Sequence, residues 1–329
     1  MKSGETILVT GAGGFIGSHL TELLVANGNR VRALVRYNGK GWFGHLEELA
    51  ARKPENLEVV LGDVTDPFFV QQLVRGADAI CHLAALIGIP YSYVAPASYQ
   101  DANVRGTLNV LEAAKTHRVR RVIVTSTSEV YGTARYKPID EAHPLQGQSP
   151  YSASKIGADK LAEAYFRSFD LPVVTLRPFN TYGPRQSARA VIPAIFSQAL
   201  SGADTIRLGS LDPERDLTFV TDTADAFVRA LQTDGIDGET IHFGQGSAVS
   251  IGTLAQLCLR IAGSSASIQC DAARIRPDKS EVGLLLCNPQ KAKEKLGWTP
   301  QVSLENGLER TAEYVRKNLS LYKTDLYMV

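Results

Sequence analysis

Thr6-Ile7-Leu8-Val9-Thr10 runs directly into Gly11-Ala12-Gly13-Gly14-Phe15-Ile16-Gly17, and a helical pattern over Phe15–Asn27 follows. An apolar β-branched run, a glycine turn and a helix form a unit with a specific use. Gly11 permits the tight turn, Gly14 the close approach of a pyrophosphate, and Gly17 tight packing of helix on strand. The helix start offers unbonded N–H groups and the positive end of its dipole to phosphate. Glycine clusters also make ordinary turns, so the strand–turn–helix context at the start of an α/β chain is what reads as dinucleotide binding. Gly11, Gly14, Phe15, Ile16 and Gly17 are the first predicted cofactor contacts.

Outward from this unit, short apolar runs alternate with helical spacing. Strands are predicted at Thr6–Val9, Arg30–Val35, Leu57–Leu61, Ala79–His82, Val122–Thr125 and Val173–Arg177, with helices at Phe15–Asn27, Asp101–Thr116 and Tyr151–Phe169. Continuous apolar strands alternating with helices imply parallel strands covered on both faces, an α/β doubly wound sheet. After about residue 180, proline and glycine break the pattern. The expected division is 1–180 for cofactor binding and 181–329 for a smaller substrate lobe, interleaved through returns such as Thr240–Phe243.

Composition excludes several classes. The chain has 329 residues, 44% hydrophobic and 21% charged, so it can bury a full core. Thirty-five basic against 34 acidic residues leave +1, no footprint for nucleic acid or an anionic membrane. Apolar stretches fall short of the roughly 18 residues needed to span a bilayer. Met1–Glu5 is polar and leads into a strand, which predicts no signal peptide. Cys81, Cys258, Cys270 and Cys287 form no CxxC pair or metal-ligand spacing, so reduced thiols, a cytoplasmic location and no metal are expected.

The second predicted strand ends Val35-Arg36-Tyr37, without the carboxylate that takes a ribose 2′-OH. An arginine suits a 2′-phosphate, which favours NADP over NAD, although Arg36 also suits a solvated loop beside Lys40. Asp63, in Leu61-Gly62-Asp63-Val64, is placed to accept from the adenine amino group, and His82-Leu83-Ala84-Ala85 to line the diphosphate and ribose. A strand-end histidine with no ligand is the stronger reading for His82 alone.

Two segments carry the chemistry: Thr125-Ser126-Thr127-Ser128-Glu129-Val130-Tyr131-Gly132 after the fifth strand, and Pro150-Tyr151-Ser152-Ala153-Ser154-Lys155 opening a helix. Tyr151 and Lys155 are four apart, hence on one helical face. An adjacent ammonium stabilises phenolate and is expected to lower the tyrosine's pKa towards the range of a general base. Elsewhere such a pair is an ordinary surface pair; the preceding Ser/Thr-rich strand end in a cofactor fold gives it weight.

The glycine motif, that strand end, Tyr151-x-x-x-Lys155, Arg177-Pro178-Phe179-Asn180, Arg215 to Asp222 and Leu296-Gly297-Trp298-Thr299-Pro300 together resemble the extended short-chain dehydrogenase/reductases over nearly the whole chain. This family contains nucleotide-sugar epimerases, dehydratases and decarboxylases on a Rossmann sheet. The resemblance implies Thr127, Tyr151 and Lys155 as the catalytic triplet, Thr125 beside a tightly bound NADP or NAD, and a homodimer joined through helices Asp101–Thr116 and Tyr151–Phe169. Glu129 decides the reaction. In the 4-epimerases this region is usually small or uncharged, whereas a 4,6-dehydratase needs a base for the C5 proton. The implied course is removal of the C4 hydroxyl proton by Tyr151 with hydride leaving C4, then removal of the C5 proton by Glu129. Water leaves C6, assisted by Glu129 or a hydroxyl at 127 or 128, and hydride returns to C6. Ser128-Glu129 departs from the Asp-Glu of the deoxythymidine-diphosphate type. Thr-Ser-Glu resembles GDP-mannose 4,6-dehydratases and also UDP-glucuronate decarboxylases. The stretch 131–151 looks most like dehydratases of legionaminic-acid-type pathways, which act on nucleotide-linked N-acetylglucosamine. Decarboxylase and epimerase remain the chemical alternatives. Glu129 as a merely hydrogen-bonding carboxylate and a catalytically idle dinucleotide sensor are the bland ones.

A diphosphate substrate needs local cations, and Arg185, Arg189, Arg215 and Arg276 supply candidates. Arg215 and Arg276 match diphosphate-contacting positions of the family and Asn180 its asparagine near the sugar. Helix Ala190–Leu200 is expected under the nucleobase, with Val191 and Ile192 as apolar contacts. Any single arginine can equally be solvated, the stronger reading for Arg185 and Arg189. Trp42, Phe43 and His45 make an aromatic loop that either covers the cofactor or anchors itself.

Overall fold

The computed structural model describes residues 4–322. Met1–Ser3, on which the leader reading partly rests, and 323–329 of the expected second lobe lie outside the described residues. Thirteen strands occur: β1 Thr6–Thr10, β2 Arg30–Arg36, β3 Leu57–Gly62, β4 Ala79–His82, β5 Arg121–Thr125, β6 Val173–Pro178, β7 Asn180–Tyr182, β8 Thr205–Leu208, β9 Glu214–Phe219, β10 Thr240–Phe243, β11 Ala248–Ser250, β12 Ser267–Cys270 and β13 Leu284–Leu285. Seven form one parallel sheet in the order β10-β6-β5-β4-β1-β2-β3. All six predicted strands are present within a residue or two, and Thr240–Phe243 returns to the edge of this sheet beside β6.

The continuous apolar runs are explained by cover on both faces. β4 is buried along its whole length, as is β6. One face packs under helices Phe15–Ala26 and Val220–Gln232 with Trp298; the other packs under Pro67–Val74, Gly106–Thr116 and Pro150–Phe169. Chain order reverses between β1 and β4, so the crevice beyond their carboxyl ends is a topological switch point. A smaller unit holds β11-β9-β13 with β7 on β9, the pair β12-β8, and helices Val191–Leu200, Ile251–Ala262 and Leu304–Lys317 around a separate core.

The helix expected over Asp101–Thr116 differs at its start. Gln100–Arg105 is a π-type turn and the α-helix begins at Gly106. The buried Asn103 lies in this turn, where it accepts from Leu86 N and donates to Leu86 O and Ser154 Oγ. The widened turn thus serves a side chain that ties the loop after β4 to helix Pro150–Phe169, a common use of π turns.

Two of the resembling motifs prove to be braces. Trp298 is fully buried and donates from Nε1 to Asp222 O at 2.9 Å, while Asp222 Oδ2 accepts Gln301 N and Val302 N at 3.0 Å each. Asp216 accepts from the backbone of Gln245, Gly246 and Cys287. Trp298, Asp222 and Asp216 thus join segments distant in sequence.

Candidate active site

A cleft of about 1110 Å³ follows the carboxyl ends of β1, β4, β5 and β6 and continues beneath the smaller unit. Two positions of its glycine turn, Gly11 and Gly17, are sterically closed to any side chain. A Cβ on Gly11 (φ +71°) would lie 2.8 Å from Ala84 N, and one on Gly17 would fall onto the Gly11 carbonyl. Helix Phe15–Ala26 has no side-chain cap at its start. Its free N–H groups therefore face the cleft together with the dipole, a fit for phosphate. Gly17→Ala is expected to weaken dinucleotide binding at least about tenfold and to destabilise the fold by roughly 1–3 kcal/mol through overpacking. Cofactor titration and thermal melting measure the two effects.

Gly11, Gly14, Phe15, Ile16, Gly17, Arg36, Asp63, Val64, Leu83, Ala84, Ala85 and Thr125 all line the cleft. Arg36 is well exposed at the rim, 4.0 Å from Asp63 Oδ2, and Asp63 Oδ1 accepts from Thr65 N and Oγ1. His82 does not line it. The ring is buried, 2.8 Å from Thr10 Oγ1 and 3.1 Å from Thr107 Oγ1, and burial, with the nearby Lys155 charge, pushes its pKa down to about 3. It is a neutral brace between β1, β4 and the helix at Gly106. The aromatic loop divides. Trp42 lines the cleft, while Phe43 packs on the core and His45 N donates to Gly13 O at 3.0 Å.

The residues expected to react converge from the turn after β5 and one helix. Thr127, two residues beyond β5, is extended, and its Oγ1 accepts Glu129 N at 3.2 Å, starting the turn Ser128–Tyr131. Helix Pro150–Phe169 is started by a reciprocal cap. Ser149 Oγ accepts Ser152 N at 3.1 Å and Ser152 Oγ accepts Ser149 N at 3.0 Å, with Pro150 in the first turn. That cap sets the rotation that carries Tyr151 and Lys155 inward. Tyr151 is hydrogen-bonded to Thr127, and its ring meets Tyr99 edge-on at 6.2 Å. Thr127, Ser128, Glu129, Tyr151 and Lys155 all line the same cleft.

The electrostatics correct one expectation. Burial dominates at Tyr151 and pushes its phenol up, opposed by the Thr127 hydrogen bond and reinforced by the Glu129 charge. Burial also lowers Lys155, whose Nζ donates to Thr125 O at 2.6 Å. Both groups are desolvated together, and the charge that opposes burial at Lys155 is that of Asp159.

Towards the smaller unit, Asn180, Arg189, Val191, Ile192, Arg215 and Arg276 line the cleft. Arg185 turns away to Glu22 at 2.7 Å and Ser18 at 3.2 Å. Arg189 reaches Gly88 across the cleft, close enough that a Cβ there would meet Nη1 at 2.9 Å. Glu281, for which the sequence offers no signal, lies 3.2 Å from Arg215 and 3.6 Å from Arg276. Burial lowers Arg215, and Glu129 is the largest charge opposing this. Four buried polar atoms of residues that line the cleft make no hydrogen bond: Thr125 Oγ1, Asn180 Oδ1, Gln186 Oε1 and Arg276 Nη1, the last lying 3.6 Å from Glu281. Gln186 was not predicted, because nothing in the Asn180–Arg185 turn marks its neighbour. Among the described residues no His/Cys/Asp/Glu cluster could hold a metal ion, and no helix is long and apolar enough to cross a membrane.

A family model described as GDP-mannose 4,6 dehydratase matches residues 8–311. This chain belongs to the nucleotide-sugar epimerase and dehydratase family of extended short-chain dehydrogenase/reductases. Members of unlike activity resemble it about equally. The dTDP-glucose 4,6-dehydratase of Actinoplanes sp. is 33% identical, over 95% of this chain and 98% of that protein. The UDP-glucose 4-epimerase of Mycolicibacterium smegmatis is 35% identical, over 94% and 98%. The dTDP-glucose 4,6-dehydratase of Streptomyces venezuelae, solved with NAD bound, superposes with a TM-score of 0.86 at 32% identity, covering 97% of this chain and 99% of that one. Sheet order and these matches together establish the family's fold.

Proposed function

We infer that this chain is a nucleotide-sugar 4,6-dehydratase that converts a GDP- or UDP-linked N-acetylglucosamine to its 4-keto-6-deoxy form. The observation that carries the reading is Glu129. It is a carboxylate on the turn begun by Thr127, in the same cleft as the Thr127–Tyr151 hydrogen bond. Epimerisation moves a hydride and a hydroxyl proton and has no work for a second base.

In this reading, residues 1–180 bind the cofactor and carry the acid–base groups, and 181–329 mainly bind the sugar nucleotide. The glycine turn and the free helix start take the pyrophosphate, and Asp63 the adenine. A bound nicotinamide dinucleotide supplies the acceptor and donor of hydride. Tyr151 takes the C4 hydroxyl proton, assisted by its bond to Thr127, and Lys155 holds charge beneath it. Glu129 removes the C5 proton, and Glu129 or the hydroxyls of Thr127 and Ser128 protonate the departing C6 hydroxyl. Arg215 and Arg276 bind the diphosphate with Arg189 beside them, Asn180 the sugar, and Val191 and Ile192 the base. The overall change is loss of one water with no net oxidation. The enzyme is read as a cytoplasmic homodimer through helices Gly106–Thr116 and Pro150–Phe169.

Incubation with GDP-, UDP- and dTDP-hexoses tests this, with chromatographic separation of epimers followed by mass spectrometry as readout. Loss of one water supports it. Loss of carbon dioxide from UDP-glucuronate moves the assignment to the decarboxylases, an isobaric product to the epimerases, and no turnover to a dinucleotide sensor. The NADP preference rests on the exposed Arg36 at the rim. Arg36→Ala is expected to weaken NADPH binding about tenfold, the scale of one charge-assisted hydrogen bond, and NADH binding less than about twofold. Equal losses in a fluorescence titration would remove the preference.

A further inference from the structure

Asp159 lies one helical turn beyond Lys155, on the buried face of helix Pro150–Phe169, and is 3% exposed. Its Oδ2 accepts from Ser126 Oγ at 2.7 Å and from Arg177 Nη2 and Nε at 2.9 and 3.0 Å. Arg177, on β6 and also buried, donates from Nη1 to the Tyr131 hydroxyl at 3.1 Å. His242 Nδ1 on β10 lies 3.0 Å from that hydroxyl. Neither Asp159 nor Arg177 lines the cleft.

The placement of these bonds is informative. Ser126 immediately precedes Thr127, and Tyr131 closes the turn that begins at Ser128. Between them stand Thr127, Ser128 and Glu129. One ion pair therefore holds both ends of the segment that presents the reacting groups, from two elements, the helix of Tyr151 and Lys155 and the neighbouring strand. Replacing a buried pair with apolar groups is often neutral or stabilising. This pair instead directs one hydrogen bond from each partner to an end of that turn.

We propose that Asp159 and Arg177 are positioning residues for the reaction, a clamp that sets Thr127 and Glu129 against the substrate carbons and Tyr151. The inference rests on the dehydratase reading of Glu129. A displacement near 1 Å from groups remote from the chemistry costs about 100-fold in rate, which gives the clamp its leverage.

Two variants test it. Asp159→Asn keeps the size of the side chain and an acceptor for Ser126 but leaves the Arg177 charge unpaired. The expected result is a kcat for keto-sugar formation lower by about 10- to 100-fold, with KM and dinucleotide affinity within about twofold. Because an unpaired buried guanidinium also endangers folding, the second variant is the double Ser126→Ala/Tyr131→Phe. It leaves the ion pair intact and cuts both bonds to the turn. The same loss of kcat at unchanged KM is expected, and Ser126→Thr with native Tyr131, which keeps both hydroxyls, should restore turnover. Double-variant kcat within about twofold of wild type, with only the melting temperature reduced, would overturn the clamp while leaving the dehydratase reading intact. A wild-type chain that dehydrates no nucleotide sugar overturns the reading and the clamp with it.

Discussion

Tyr151→Phe is expected to lower turnover by about 10³-fold, the middle of the range for one general acid–base group, or about 4 kcal/mol of barrier. The ring should stay in place. It packs against Tyr99 and Tyr151 is only 7% exposed, so loss of the hydroxyl leaves the wall of the cleft intact. Dinucleotide and sugar-nucleotide affinities should therefore change little, while formation of reduced cofactor on mixing with substrate disappears. A stopped-flow absorbance trace decides the matter, and an unchanged trace would sink the role of Tyr151. The sign of the pH dependence follows from the same environment. Burial raises the phenol, so the protonated form is favoured and kcat/KM should climb with pH. Thr127→Val removes the hydrogen bond that opposes burial and should displace that climb to higher pH.

Glu129→Gln should separate binding from elimination. The amide keeps the size of the side chain but accepts no proton, so dehydration should fall by about 10²- to 10⁴-fold while the first hydride transfer persists. Mixing substrate with this variant is expected to accumulate reduced cofactor without 4-keto-6-deoxy product. Arg215 loses the largest charge that supports its protonated form, so a modest change in KM is expected alongside. Near-normal product formation would show that Glu129 is a structural carboxylate and would return the chain to the epimerases that it resembles equally well.

Much of this was legible in one dimension. Each strand of the sheet is a short apolar run, and short apolar runs need no partner information to be recognised. The meeting of Thr125–Glu129 with Tyr151 and Lys155 in one cleft was legible because strand ends in such sheets meet at one edge. His82 was less legible. It follows the same rule of strand-end placement, yet hydroxyls of β1 and a helix capture its ring. Arg185, Arg189, Arg215 and Arg276 are alike as letters. Glu22 takes the first, and only the other three reach the cleft.

The amino-acid order by itself determined the parallel sheet, the glycine spacing of the first turn, and the helical phase shared by Tyr151 and Lys155. All depend on spacing within a few residues. What the tertiary structure decided depends on groups far apart in the chain. Asp159 and Arg177 meet Ser126 and Tyr131 at the two ends of one turn, and Glu281 stands between two arginines. Thr125, Asn180, Gln186 and Arg276, far apart in the chain, line one cleft. The direction of the Tyr151 shift belongs to the same class, because desolvation is a property of everything packed around a group and no local pattern records it.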